Sequence, residues 1–422
     1  MLNRTDIQPI GLDLGLDRVR LLQLAVSGNT LCVHEAASAD IPADTKPESL
    51  LDTGLAIAAG LLKRNAFSGR AVVAALPRDI IHVKNLRLPP IPTAELAAAV
   101  RFEARNIFPF DTEMAHVEFL PAGEVRQGTD ARQEVIVLAA RMNDVDGFLE
   151  HLDRHGLIVA SLDAEPCALY RSVERFVRRR DDEQEVNVLL DVGLVRTHVL
   201  IGRGRELSFF KPIDIGGQKL NDAVARRLGI TYEEAVALRR QLAEADMAEP
   251  GEGDTCQVTP TGNQAVQQAV FHATRGILED LAREVSLCLR YYSVTFRGPG
   301  PARVRLMGRE GIDPGLAAVL RAMLSIPAEP AQPFINVDCT GQNAGDLTQP
   351  LCEWSMAMGL ALKKTPGRFA ARDGKPRQNR GTMGEVIDLN QAVAGAAESK
   401  PPPDAKPSAA DNRTQLPEVR CA

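Results

Sequence analysis

The chain carries one short pattern twice. Asp13-Leu14-Gly15-Leu16-Asp17-Arg18-Val19 returns, 178 residues later, as Asp191-Val192-Gly193-Leu194-Val195-Arg196-Thr197. Each copy follows an apolar strand and turns tightly at its glycine into another. In the first copy Ile10, Leu12 and Leu14 alternate with Gly11, Asp13 and Gly15. A carboxylate at the end of a buried strand is costly unless a metal, a cation or hydrogen-bond donors meet it. Turn amides are the bland answer to that need, and a ligand held between two loops is the sharp one. The repetition predicts a duplicated molecule in which the two hairpins face each other.

The residues around the hairpins read as two related α/β halves. Strands at 10–15, 19–26 and 31–39, a helix over 47–63 and a strand at 71–76 begin the first half. Strands at 186–191, 197–201 and 206–213 and a helix opened by Gly216-Gly217 begin the second. A capping box, Thr231-x-x-Glu234, starts the next helix, and apolar residues at helical spacing run from 264 to 292. The first lobe is placed at 1–76 and 157–180, and the second at 181–362 with 214–299 as its outer part. Residues 77–156 read as an inserted α+β unit. It comprises a strand at 80–88, a helix over 93–107 with Thr93 as N-cap, strands at 115–120 and 134–140 parted by a polar loop, and a helix over 143–155. From 363 the chain turns rich in Pro, Gly, Ala and charge, and 363–422 is expected to be a disordered tail. Met383 to Val393 within it is a candidate binding segment.

Composition narrows the function. With 4% aromatic residues and 45% hydrophobic ones, the cores are aliphatic. A net charge of −6 argues against nucleic acid as a partner. The seven cysteines show no C-x-x-C spacing, which fits reduced thiols and a cytoplasmic setting. Met1 to Pro9 lacks the basic and apolar regions of a signal peptide. No apolar run reaches the roughly 18 residues a bilayer span needs. Residues 363–380 hold seven Lys/Arg against one acid, Asp373. The run reads as a solvated linker, or alternatively as a segment drawn to an anionic membrane face at about 1 kcal/mol per charge.

Two Asp-x-Gly hairpins suit a nucleotide clasped between lobes. Gly15, Leu16, Asp17 and Arg18 in the first turn, and Gly193 and Thr197 in the second, are placed to cradle phosphates. Asp13 and Asp191 can hold Mg2+ through its waters. Gly308, at a strand end before a helix, offers a third loop for an adenosine, and Gly216-Gly217 put bare amides at a helix N-terminus. ATP and Mg2+ are thus the candidate cofactors. His151-x-x-x-His155 has helical metal spacing with no third ligand evident.

The order of several stretches resembles the PilM family of actin-like type IV pilus assembly proteins. They are Ile10–Val19, Val72-Val73-Ala74-Ala75-Leu76-Pro77, Leu86-Arg87-Leu88-Pro89, and Glu95-Leu96 through Phe102-Glu103-Ala104 to Phe108-Pro109-Phe110. Gly156-Leu157 follows, then Asp163-Ala164-Glu165-Pro166-Cys167-Ala168-Leu169, Asp191 and its loop, and Ile213-Asp214-Ile215-Gly216-Gly217. Tyr232-Glu233-Glu234-Ala235, Tyr291-Tyr292 and Met358-Gly359-Leu360-Ala361-Leu362 complete the match. The resemblance covers nearly all of 8–362. It implies the duplicated ribonuclease-H-like, actin-like two-lobe fold of the actin, Hsp70 and FtsA superfamily, with an inserted subdomain at 77–156. It implies a PilN-like membrane protein as partner, whose N-terminal peptide binds in a groove involving the insert, and a place in the pilus assembly machinery, peripheral to the inner membrane. Some actin-like relatives put a water-positioning glutamate where Glu165 stands, so Glu165 is the candidate catalytic residue. The chain departs from the family at its loops: Leu16-Asp17-Arg18 and Leu194-Val195-Arg196 replace the usual hydroxyl residues, leaving Thr197 alone. The expectation is a non-enzymatic scaffold with a degenerate nucleotide site. The alternatives are an active actin-like ATPase and a type II secretion platform component.

Overall fold

A computed structural model describes residues 5–127, 130–177, 179–248, 262–297, 299–340, 347 and 350–365. In the first half, β1 (Thr5–Ile7) and β2 (Ile10–Leu14) run along one edge of β3 (Arg18–Ser27) as a single interrupted strand. The break falls at Pro9, which has no amide to give the ladder. β4 (Thr30–Asp40) covers the other edge of β3, and helix α1 (Leu50–Arg64) crosses to β5 (Ala71–Ala75), parallel to β2. The insert follows: β6 (Ile81–Leu88), α2 (Thr93–Ile107), β7 (Ala115–Gln127), β8 (Asp130–Arg141) and α3 (Met142–Arg154). The chain then returns as β9 (Ile158–Asp163), parallel to β5, and α4 (Glu165–Glu174).

The second half comprises β10 (Val186–Val192), β11 (Thr197–Arg203), β12 (Glu206–Ile213), α5 (Gly217–Leu228), α6 (Tyr232–Ala248), α7 (Gly262–Phe296), β13 (Arg303–Met307), α8 (Pro314–Leu324), β14 (Ala328–Pro330) and α9 (Ser355–Ala361). Its sheet is ordered β12-β11-β10-β13-β14, and the first reads β4-β3-β2-β5-β9. Both keep the antiparallel hairpins on one side and two parallel strands on the other. The duplication seen in one loop thus extends through whole sheets. The capping box forms as expected: the Thr231 amide donates to Glu234 Oε2 (2.8 Å), and the Glu234 amide donates to Thr231 Oγ1 (3.2 Å).

The insert forms a three-stranded antiparallel sheet, β6-β8-β7. Leu96, Val100 and Ala104 of α2 and Phe108 after it pack on Val135, Val137 and Ala139 of β8. The alternate residues, Ile136 and Leu138, join the main core with Val145, Phe148 and Leu152 of α3, as the two-residue strand period requires. Three details correct the sequence reading. Thr93 is the first helical residue, and the cap position belongs to Pro92, whose extended backbone makes no side-chain cap. The polar loop between β7 and β8 is mostly strand, kinked by a bulge at Gly123 (φ +113°). The helix that the sequence places over 164–177 runs only from Glu165 to Glu174.

The last helix reaches back across the chain. α9 packs on β2, β3 and α4 rather than on the second sheet it follows in sequence. Two glycines let it do so. A Cβ on Gly359 would lie 1.8 Å from the Ala168 carbonyl oxygen, and one on Gly11 would lie 2.3 Å from that of Ala357. Trp354 is fully buried beneath it with Leu22, Leu24 and Met358. The tail from 366 and the segment 249–261 lie outside the described residues, and with them Met383 to Val393.

Candidate functional site

The two hairpins have the same local geometry. The Gly15 amide donates to the Arg18 carbonyl and the Gly193 amide to that of Arg196, both at 3.0 Å. Directly cross-strand from each aspartate stands a basic residue: Arg20 faces Asp13 and His198 faces Asp191. Arg20 lies 3.6 Å from Asp13 Oδ2 and 2.5 Å from Glu353 Oε2. His198 Nδ1 lies 3.7 Å from Asp191 Oδ2 and 2.9 Å from Oε1 of Glu165, at the start of α4. The ligand atoms of Glu165, Asp191 and His198 fall within 4.8 Å of one another. The arrangement brings Asp13, Asp191 and Glu165 into one cleft, with a protein cation set against the acid of each hairpin.

Burial shifts these groups. Asp13 is pushed up to about 7 by burial, with Asp191 and Glu165 adding to what Arg20 partly offsets. Burial works against a charged His198, yet Glu165 and Asp191 together carry it to about 10. Burial likewise opposes a charged Glu165, but His198 holds it below the usual range. Folded His198 therefore keeps its proton well above the 6.5 of a free imidazole. Its stabilising contribution is complete below about pH 6.5 and is lost as the pH rises toward about 10. Stability in urea is expected to decline over that window, and the decline to flatten in His198→Gln. An unchanged slope in the variant would count against the ion cluster.

The remaining residues of the nucleotide reading have other partners. Asp17 is ion-paired with Arg309 of the third loop, across the two halves. Arg18 is buried and turned toward Asp40, 3.5 Å away. The Thr197 hydroxyl is buried and donates to the Ile215 carbonyl at 2.7 Å. The Gly217 amide donates to the Gly193 carbonyl (3.0 Å), and that of Gln218 to Leu194 (2.7 Å). Gly216 packs so closely that a Cβ would meet Leu194 O at 2.6 Å. Over the N-terminus of α5 sits Glu310, whose Oε1 would lie 2.2 Å from a Cβ on Gly217. Arg239 holds it, with Nη2 2.6 Å from both Glu310 Oε2 and Asp313 Oδ2. A carboxylate at that helix end is favoured by the same dipole that would bind a phosphate. Gly308 (φ +75°) closes on the second hairpin, where a Cβ would meet Val192 O at 2.7 Å and Asp191 Oδ1 at 2.8 Å. Leu16 is half-buried at the tip of the first hairpin.

The pairing of Arg20 with Asp13 and of His198 with Asp191 escaped the sequence reading, although each base stands seven residues after its loop aspartate. That Asp-x6-basic spacing is the signal that finds them. Arg309, Glu310 and Glu353 carry no comparable local signal.

A family model described as type IV pilus assembly protein PilM matches residues 11–248. Among solved structures, the chain is similar to a PilM-PilN type IV pilus biogenesis complex at a TM-score of 0.66 and 24% identity, covering 84% of this chain and 98% of that one. It is also similar to the ethanolamine utilization protein EutJ from Carboxydothermus hydrogenoformans (TM-score 0.48, 13% identity, 84% and 89% covered). A third is MreB 5 of Spiroplasma citri bound to AMPPNP (0.39, 10%, 86% and 97%). The first of these is a likeness of fold. No helix among the described residues is long and apolar enough to cross a membrane.

Proposed function

The chain belongs to the PilM family of type IV pilus assembly proteins and has its actin-like fold, and from that premise we propose that it works as an adaptor rather than a motor. It sits at the cytoplasmic face of the inner membrane and holds the N-terminal peptide of a PilN-like membrane protein on the insert. The family match runs through the whole insert, and this is the observation that carries the partner. The insert's surface supports it: Phe102 on α2 is 64% exposed and Met114 is 59% exposed. The Arg105–Glu113 ion pair (2.8 Å) holds their two segments side by side. Exposed large apolar side chains on a small subdomain mark a surface for a partner.

The cleft acts as a fixed joint in this reading. A magnesium-nucleotide needs free carboxylates for the ion and free amides or hydroxyls for the phosphates. Here Arg20 and His198 meet the carboxylates, Glu310 takes the anion seat of α5, and the Thr197 hydroxyl and the Gly217 and Gln218 amides already donate within the protein. These residues do not fit the group. The charges a nucleotide and its ion would bring are supplied by side chains, which tie the two halves together without a ligand.

Calorimetric titration with the N-terminal peptide of the PilN-like partner tests the proposal. Binding is expected, and Phe102→Asp is expected to weaken it by about 2 kcal/mol or more, the scale of an interface hot spot. Equal affinity in the variant would move the binding surface off α2.

A further inference from the structure

His151 stands in the last turn of α3 and His155 caps it, four residues on. The fold brings a carboxylate beside the pair. Asp52, in the first turn of α1, places Oδ1 2.8 Å from His151 Nδ1 and 3.3 Å from His155 Nε2. Bonds of about 2.0–2.1 Å from a tetrahedral zinc ion put neighbouring donor atoms roughly 3.4 Å apart, so both nitrogen–oxygen separations are near that already, whereas the two nitrogens stand farther apart than the 4.8 Å that contains the Glu165, Asp191 and His198 donors. The side chains are 31%, 23% and 47% exposed for His151, His155 and Asp52. Closing both nitrogens onto one ion takes side-chain rotation, which that exposure allows.

The cluster is unbalanced as it stands. Arg154 Nη2 lies 2.6 Å from the same His151 Nδ1 that faces Asp52. One ring nitrogen cannot donate to a carboxylate and accept from a guanidinium at once. A metal ion takes a lone pair from the unprotonated nitrogen and from the carboxylate together, and exposed Arg154 has room to swing aside. The C-terminal end of α3 adds the negative end of a helix dipole, which favours a cation. Two imidazoles and one carboxylate suit zinc, nickel or cobalt rather than magnesium or calcium. We propose that Asp52, His151 and His155 form a site for a divalent transition metal of the zinc class, which ties α1 to α3 and so fixes the insert against the first sheet.

The full chain, free of affinity tag and metal, is titrated with Co2+ and followed by visible absorption and calorimetry. One saturable site is expected, with no thiolate charge-transfer band, which separates it from the cysteines. Asp52→Asn and His151→Ala are each expected to weaken it by at least about ten-fold, the scale on which even outer partners of a metal act. Arg154→Ala is expected to tighten it, an effect that loss of a merely structural contact would not give. Metal-free melting curves matching the wild type show that the variants fold. An EDTA-reversible rise in melting temperature accompanies the ion in the wild type and is absent from His151→Ala. No binding to the wild type overturns the proposal, as does affinity unchanged in both ligand variants. Affinity lost only in His198→Gln also overturns it, because it puts the ion in the cleft.

Discussion

Arg171→Leu is expected to lower stability by about 3–5 kcal/mol, read as a fall in the urea midpoint, because it leaves a carboxylate buried beside too little positive charge. Asp163, at the end of β9, is fully buried. Arg171, two turns into α4, places Nη1 2.6 Å from Asp163 Oδ2 and 2.9 Å from the carbonyl of Gly359. Lys363 approaches the other oxygen at 3.4 Å, though burial lowers its own hold on a proton. The network thus joins β9, α4 and the chain just after α9. Removing the arginine strips both the main counter-charge and a bond to α9. Asp163→Asn combined with Arg171→Leu is expected to recover part of the loss, because no buried carboxylate is left uncompensated and Lys363, whose hold on its proton burial already lowers, can shed it. A single-variant loss under about 1 kcal/mol would show that Lys363 alone neutralises the site.

Gly359→Ala is the second large effect, at about 3 kcal/mol or more, since overpacking against backbone cannot be relieved by a rotamer change. The new Cβ would sit 1.8 Å from the Ala168 carbonyl oxygen and 2.4 Å from its carbon, so α9 and α4 must separate. Gly276→Ala in α7 provides the contrast. A Cβ there meets nothing within 4 Å, and the substitution is expected to gain up to about 1 kcal/mol of helix propensity. If both variants melt like the wild type, α9 does not pack on α4 as closely as described.

The longer strands of both sheets and the start of α6 were legible because each announces itself locally: alternating apolar residues, a glycine turn and a capping box are short-range signals. The short strands β1 and β14 were not. β1 has three exposed residues, and β14 is Ala328-Glu329-Pro330, with no apolar alternation to read. The seat of α9 was hidden for a different reason. Its sequence tells that it is apolar, while the sheet it covers is chosen by Gly11 and Gly359, more than 300 residues apart. The cleft divides the same way. Asp13 and Asp191 stood out by repetition, and Arg20 and His198 could have been found from their spacing. Arg309 and Glu310 act across the gap between elements, on Asp17 and on the N-terminus of α5. No local pattern encodes such a reach. The pair His151 and His155 was visible, but Asp52 became its neighbour only through the packing of α1 beside α3.

Partner binding is expected not to depend on a nucleotide in the cleft. The most direct measurement is the calorimetric titration with the N-terminal peptide of the PilN-like partner, run once in EDTA and once in Mg-ATP, with released phosphate assayed in the same samples. The same affinity is expected in both, with no phosphate above the buffer control. Peptide binding that appears only with Mg-ATP, accompanied by phosphate release, would contradict it.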